Sequence, residues 1–186
     1  MSLLAESLVE EWLNRKGFFT IRGLKQRVDE IDLLAVAPRG TAETEAWHVE
    51  VQASFRPVSY ITPLTETIAR DLGKKKTSAF ARSPDVLSEC VRAWVQKKFR
   101  AEKKVGVRRA LWPDADWRFV VVHGVVKHPT ELQLIAKDRV TLVSLDSVLS
   151  ELCSGAPPPF TGSAGGDLAE LIQHYARVLH RRPAQT

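Results

Sequence analysis

Two stretches decide how this chain is read: Glu30-Ile31-Asp32-Leu33-Leu34-Ala35-Val36 and Trp47-His48-Val49-Glu50-Val51-Gln52. In the second, Trp47, Val49 and Val51 alternate with His48, Glu50 and Gln52, the period of a strand with two unlike faces. In the first, Asp32 shares a face with Leu34 and Val36, so its carboxylate opens a surface that turns apolar. A carboxylate placed there is costly unless it is paired, protonated or bound to a metal. Two such acids on adjacent strands, with Gln52 two residues beyond one of them, are the elements of an oxygen cage for a divalent cation.

Upstream, residues 3 to about 16 form an amphipathic helix on paper, with Leu4, Leu8, Val9, Trp12 and Leu13 in one stripe and Gly17 as its stop. Phe18 to Ile21 reads as a short strand, and a basic turn (Arg22, Lys25, Arg27) leads into the Asp32 strand. Pro38-Arg39-Gly40 closes that strand, and Thr41 to Glu45 reads as a polar hairpin loop. Helix followed by three strands is not the alternation of a doubly wound parallel fold.

Downstream, Leu64 to about Phe80 reads as a helix carrying Arg70, Lys74, Lys75 and Lys76. Pro84 opens a second helix, Asp85 to about Lys104, with Val86, Leu87, Val91, Trp94, Val95 and Phe99 on its apolar side. Trp117 to Val126 suits a central strand buried on both faces. A helix from Pro129 to about Lys137, a strand from Val140 to Leu145 and an Asp146-capped helix to Cys153 follow. Residues 155–166 are rich in Pro and Gly and read as a linker. Beyond it, Asp167 to about Arg181 forms an amphipathic helix through Leu168, Leu171, Ile172, Tyr175 and Leu179. The organisation expected is a domain over residues 1–154, a linker over 155–166, and a C-terminal helix and tail over 167–186.

The 186 residues are enough to bury a sizeable core. Twenty-seven Lys and Arg against 22 Asp and Glu give a net charge of +5, which favours a polyanionic partner such as nucleic acid. Cys90 and Cys153 lie far apart with no histidine cluster, so both are expected as reduced thiols and no zinc site is indicated. No apolar run reaches membrane-spanning length and no signal-peptide pattern opens the chain, so a cytoplasmic location is expected.

On these residues the chain resembles the PD-(D/E)XK nuclease superfamily, most closely its small resolvase-like bacterial branches. Three pieces carry the resemblance: Ala5-Glu6 followed eleven residues later by Gly17-Phe18, the run Glu30-Ile31-Asp32-Leu33-Leu34-Ala35, and Val49-Glu50-Val51-Gln52-Ala53 in register with that family's E-x-K strand. Their order, and the 17 residues between Asp32 and Glu50, match as well. The resemblance covers residues 1 to 54 and implies an α/β restriction-endonuclease-like core, a mixed sheet flanked by helices, with the C-terminal helix appended. It implies a magnesium-dependent DNA nuclease, manganese being a possible substitute. Asp32, Glu50 and the carbonyl of Val51 would hold the metal, Glu6 would assist from the rim, and a dimer would supply a second site for the second strand.

The departure is Gln52 where the family usually carries lysine. An ammonium stabilises charge, whereas a neutral amide only orients a water. Three readings stay open: Gln52 suffices, a lysine from another element such as Lys74, Lys75 or Lys76 replaces it, or the site binds without cutting. Lys74, Lys75 and Lys76, together with Arg100, Lys103, Lys104, Arg108 and Arg109, form the expected electrostatic footprint for nucleic acid. The bland alternatives are a solvated helix end for the first group and a basic loop for the second. His48 is expected to face solvent.

Overall fold

A computed structural model describes residues 2–26, 29–40, 43–154 and 165–181. Its elements are α1 (Ser2–Arg15), β1 (Phe19–Gln26), β2 (Asp29–Arg39), β3 (Glu43–Gln52), α2 (Glu66–Asp71), α3 (Pro84–Val95), a π-helical turn (Gln96–Arg100), α4 (Glu102–Leu111), β4 (Trp117–His123), α5 (Pro129–Lys137), β5 (Val140–Ser144), α6 (Leu145–Ser154) and α7 (Gly166–Arg181). The five strands form one sheet in the order β1-β2-β3-β4-β5. β1, β2 and β3 are antiparallel neighbours, whereas β4 and β5 add in parallel. The result is an α/β fold with a mixed sheet flanked by helices.

Local chemistry explains the element ends. Gly17 takes a left-handed φ of 82° after α1, and the Phe18 amide returns to the Leu13 carbonyl at 3.1 Å. Glycine reaches that conformation without the Cβ penalty, so the helix stops there. Ser83 caps α3 by accepting from the Val86 amide, and Pro84 occupies the first turn, where no amide hydrogen is needed.

One face of the sheet carries Leu33, Ala35, Val49, Val51, Val120 and Val122, buried under α1, α6 and α7. The appended helix α7 packs here: Ala169 is fully buried, and Gln173 Nε2 donates to the Leu152 carbonyl at 2.7 Å. The opposite face, through Phe119, Val121, Val140 and Leu142, packs on α3, α5 and Phe99 of the π-turn. Among the described residues no helix is long and apolar enough to cross a membrane.

Several expectations change. The first strand is eight residues long and absorbs Arg22 and Lys25; Arg27 lies outside the described residues. Helix α2 covers only Glu66–Asp71, so Lys74, Lys75 and Lys76 follow it in a turn segment. The long helix expected over residues 85–104 divides at Ala101, whose ψ of 135° is extended. Ser144, not Asp146, caps α6, its Oγ accepting from the Ser147 amide at 3.0 Å. Most of the Pro/Gly stretch (155–164), Thr41, the side chain of Leu179 and the tail 182–186 lie outside the described residues.

Candidate functional site

The β2–β3 ladder runs from Arg39↔Glu43 to Leu33↔Val49 and ends there. One residue further, the Asp32 carboxylate substitutes for the ladder: its Oδ2 accepts from the Val51 amide at 2.8 Å. Strand alternation places Asp32, Leu34, His48, Glu50 and Gln52 opposite the apolar set of Leu33, Val49 and Val51. Glu50 is fully buried on that second face, because α4 and the π-turn lie over it.

Glu50 is held by a set of cations that arrive from the far side of a long crossover. Lys98 Nζ lies 2.6 Å from its Oε2, and Lys104 Nζ lies 2.7 Å from its Oε1. His48 Nε2 approaches the same Oε1 at 3.1 Å, and Arg108 Nη1 lies 2.7 Å from His48 Nδ1. An arginine can only donate, so Nδ1 is the acceptor, and Nε2 carries the proton that it donates to Glu50. The break at Ala101 makes this convergence possible. On one uninterrupted helix, residues 98 and 104 would point about 120° apart.

The electrostatics follow from burial and partners. Burial pushes the Asp32 carboxyl up to about 7; the charges of Glu50 and Glu6 push the same way, and Lys98 and the Val51 amide offset only part of it. Burial would also raise Glu50, but the His48 hydrogen bond and the charges of Lys98 and Lys104 override it and hold the acid down at about 2. Burial lowers His48 to about 4 despite the attraction of Glu50, so the ring is neutral. Burial would lower Lys98 too, yet Glu50 and Asp32 raise it, and it stays an ammonium. Two neighbouring acids are thus set apart: Glu50 is always ionised, and Asp32 is poised near neutrality.

The structure gathers some of the residues singled out in the sequence and disperses others. Asp32, Glu50 and Val51 meet at the strand ends, and Glu6, buried on α1, contributes its charge to Asp32. Gln52 is half-buried and, with Val51, lines a cavity of about 240 Å³. His48 does not face solvent but is fully buried beside Phe99 at 4.9 Å. Lys104 and Arg108 are correspondingly removed from the expected nucleic-acid surface: they are buried in the Glu50 network. Arg100 donates to the Asp138 carbonyl at 2.7 Å, whereas Lys103 and Arg109 are exposed. Lys74 and Lys75 are exposed, and Lys76 pairs with Glu66 at 2.5 Å; none is the lysine beside Glu50.

Lys98 is the partner of Glu50 that the sequence did not single out. It sits 46 positions after Gln52, and no local period ties it to β3. In the sequence it is one of several Lys and Arg residues near the end of the helix expected over residues 85–104. Among the described residues there is no group of three or more His, Cys, Asp or Glu side chains arranged to hold a metal. The acids that meet here are a pair, with one Asp32 oxygen, Oδ1, making no hydrogen bond within the described residues.

No family model matches the chain, and no curated protein does. Among solved structures, the crystal structure of a protein of unknown function, AF1548, aligns at 10% identity with a TM-score of 0.44. The alignment covers 81% of this chain and 66% of that one, just under two thirds of its length. A likeness at that level carries no functional argument.

Proposed function

We propose that this chain hydrolyses phosphodiester bonds in nucleic acid, DNA in the first instance, at the Asp32–Glu50 pair, as a member of the PD-(D/E)XK superfamily. The observation that carries the reading is the convergence of two strand-end carboxylates with Lys98. A lysine from another element supplies the positive charge that Gln52 lacks, at 2.6 Å from Glu50. This is the second of the three readings open from the sequence, with Lys98 in place of Lys74, Lys75 or Lys76.

The residues present fit a magnesium or manganese ion bound by few protein ligands and otherwise by water. That is how magnesium is commonly held, and the unengaged Asp32 Oδ1 suits it. Asp32, Glu50 and the Val51 carbonyl would hold the ion, which when bound stabilises phosphoryl charge and lowers the pKa of a bound water. Asp32 sheds its proton near neutrality and so presents an anionic oxygen to the site. Lys98 places its ammonium where negative charge develops on the phosphoryl group. Gln52 orients water by hydrogen bonding, and Glu6 adds negative potential behind Asp32. Lys103 and Arg109, exposed on α4, offer charge to the phosphate backbone.

A second reading is binding without cutting. It is favoured by the fact that both Glu50 oxygens are engaged by Lys98, Lys104 and His48. Cleavage of supercoiled plasmid and branched DNA with magnesium or manganese separates the two. The nuclease reading requires cutting that disappears in Asp32→Asn and Lys98→Met. DNA binding without cutting in the wild-type chain would establish the second reading instead.

A further inference from the structure

The segment between β3 and α3 has little regular structure, yet it encloses a cavity of about 310 Å³. Tyr60, Thr62, Lys76, Thr77, Ser78 and Arg82 are among its lining residues, and no described carboxylate lines it. Arg82 is its least satisfied group. Its guanidinium lies 3.9 Å from the centroid of the Tyr60 ring, on which His128 also stacks at 4.5 Å. Arg82 Nη1 donates to the Thr62 carbonyl at 2.8 Å and to Thr62 Oγ1 at 3.3 Å. Arg82 Nε is buried with no hydrogen-bond partner.

A fixed guanidinium without a paired carboxylate is an unfinished anion site. Its Nε is sealed from the cavity, so an anion there would meet the terminal nitrogens, whose hydrogen bonds among the described residues go to Thr62 alone. Glu131, fully buried, does not complete it. Its oxygens accept from the Ile61 amide at 2.8 Å, the Thr62 amide at 2.9 Å and Thr62 Oγ1 at 2.6 Å. Glu131 therefore reaches Arg82 only through Thr62, and its role is to hold the wall in place. At the rim, Lys76 pairs with Glu66, but both side chains are largely exposed. An exposed pair of this kind contributes little and yields readily to a stronger anion.

The position of the cavity identifies the anion. Val58, Tyr60 and Ile61 form one wall of this cavity and also line the smaller one that opens on Val51 and Gln52. That wall is pinned to the segment that follows β4, since the Val58 amide donates to the Val125 carbonyl at 3.0 Å and the Lys127 amide to the Val58 carbonyl at 2.9 Å. We propose that the Arg82 cavity binds a phosphate group of the polynucleotide, one lying beyond the phosphate at Asp32 and Glu50. Arg82 and Lys76 supply the charge, and the Thr77 and Ser78 hydroxyls supply further donors. The cavity exceeds a single phosphate in size and leaves room for the sugar attached to it. This assignment rests on the nuclease reading above.

The test uses the full chain in metal-free buffer, following the backbone amides of Thr62, Thr77 and Ser78 by NMR. Inorganic phosphate and a short single-stranded DNA are titrated separately. Both are expected to move these amides, and Arg82→Gln is expected to weaken oligonucleotide binding about tenfold, with Arg82→Lys intermediate. The wild-type titration stands even if a variant fails to fold. Movement with inorganic phosphate alone would assign the cavity to a small phosphorylated compound and overturn the proposal. No movement with either ligand, or unchanged affinity in a folded Arg82→Gln, would overturn it too. Arg82-dependent DNA binding in a chain that cuts nothing would sink the nuclease reading and leave the cavity's assignment standing. Cutting with Arg82-independent binding would do the reverse.

Discussion

Over β3 the two faces of the sheet are built on opposite principles. Under α1, α6 and α7, the strands present Leu33, Ala35, Val49, Val51, Val120 and Val122 to an apolar layer. Under α4 and the π-turn, the same β3 presents His48 and Glu50, both fully buried and tied to Lys98, Lys104 and Arg108. The apolar face is stabilised by removing surface from water, which is tolerant of exact partners. The charged face must recover a large desolvation cost through a few specific contacts, and each contact depends on the others. Each face thus contributes to stability, the one through buried area and the other through specific contacts. The charged face sets a carboxylate raised toward neutrality by burial beside one held down by its lysine partners.

The largest difference between the faces is expected in activity. Asp32→Asn should lower DNA cleavage by about a thousandfold, equivalent to a loss of about 4 kcal/mol of charge stabilisation. Leu13→Ala on the apolar face should leave cleavage per folded molecule unchanged. Initial rates on plasmid substrate check both, and equal losses would erase the division.

Next in size is folding stability. Glu50→Ala leaves Lys98 and Lys104 without their counter-charge and should cost about 3–5 kcal/mol in urea unfolding. Replacing Glu50 and Lys104 together by leucine and methionine should recover part of that loss, because the more deeply buried lysine is then not left stranded, whereas Lys98 keeps some exposure to water. Leu13→Ala should cost about 2–5 kcal/mol, with no such rescue by a second change. A double variant no more stable than Glu50→Ala would show that the network is not what holds this face.

A pH profile sharpens the comparison further. In the folded chain Asp32 titrates at about 7 against an ordinary 3.8. Between these values the folded state holds the extra proton, so stability falls as pH rises from about 4 to about 7. Glu50, held down at about 2, acts in the opposite sense: its contribution is present above 4.5 and is lost as pH falls toward 2. Thermal unfolding against pH should therefore show a maximum on the acid side of neutrality, with the upper limb spanning on the order of a few kcal/mol. Asp32→Asn should flatten that limb alone. Magnesium at pH 7 should raise the melting temperature of the wild-type chain and not of Asp32→Asn, since only the former has the paired acids.

The smallest effect is expected at the surface. Lys75→Ala, exposed and distant in contacts from the Glu50 network, should change stability by less than about 0.5 kcal/mol. A larger change in urea unfolding would give the turn after α2 a packing role that its exposure does not suggest.

Much of the apolar face was legible in the sequence. The stripe of Leu8, Val9, Trp12 and Leu13, the stop at Gly17 and the alternation through Trp47, Val49 and Val51 all obey local periods. The structure buries those residues as the periods require, with Trp47 partly covered. The acids Asp32 and Glu50 were legible for the same reason, as breaks in a local pattern. Less could be read where the chain lacks a period. Lys74, Lys75 and Lys76 follow a helix of only six residues instead of riding on a long one.

What the sequence by itself determined is which side chains each strand and helix presents on a common face, because a backbone period of two or 3.6 is local. What only the tertiary structure decided is the company those side chains keep. His48 reads as solvent-facing until α4 covers it, and Lys104 and Arg108 read as surface charge until the chain opens into a π-turn and breaks at Ala101. The partners of Glu50 lie 48 and 54 residues away. Their selection rests on the desolvation of a buried charge, which acts through space and leaves no trace in neighbouring residues.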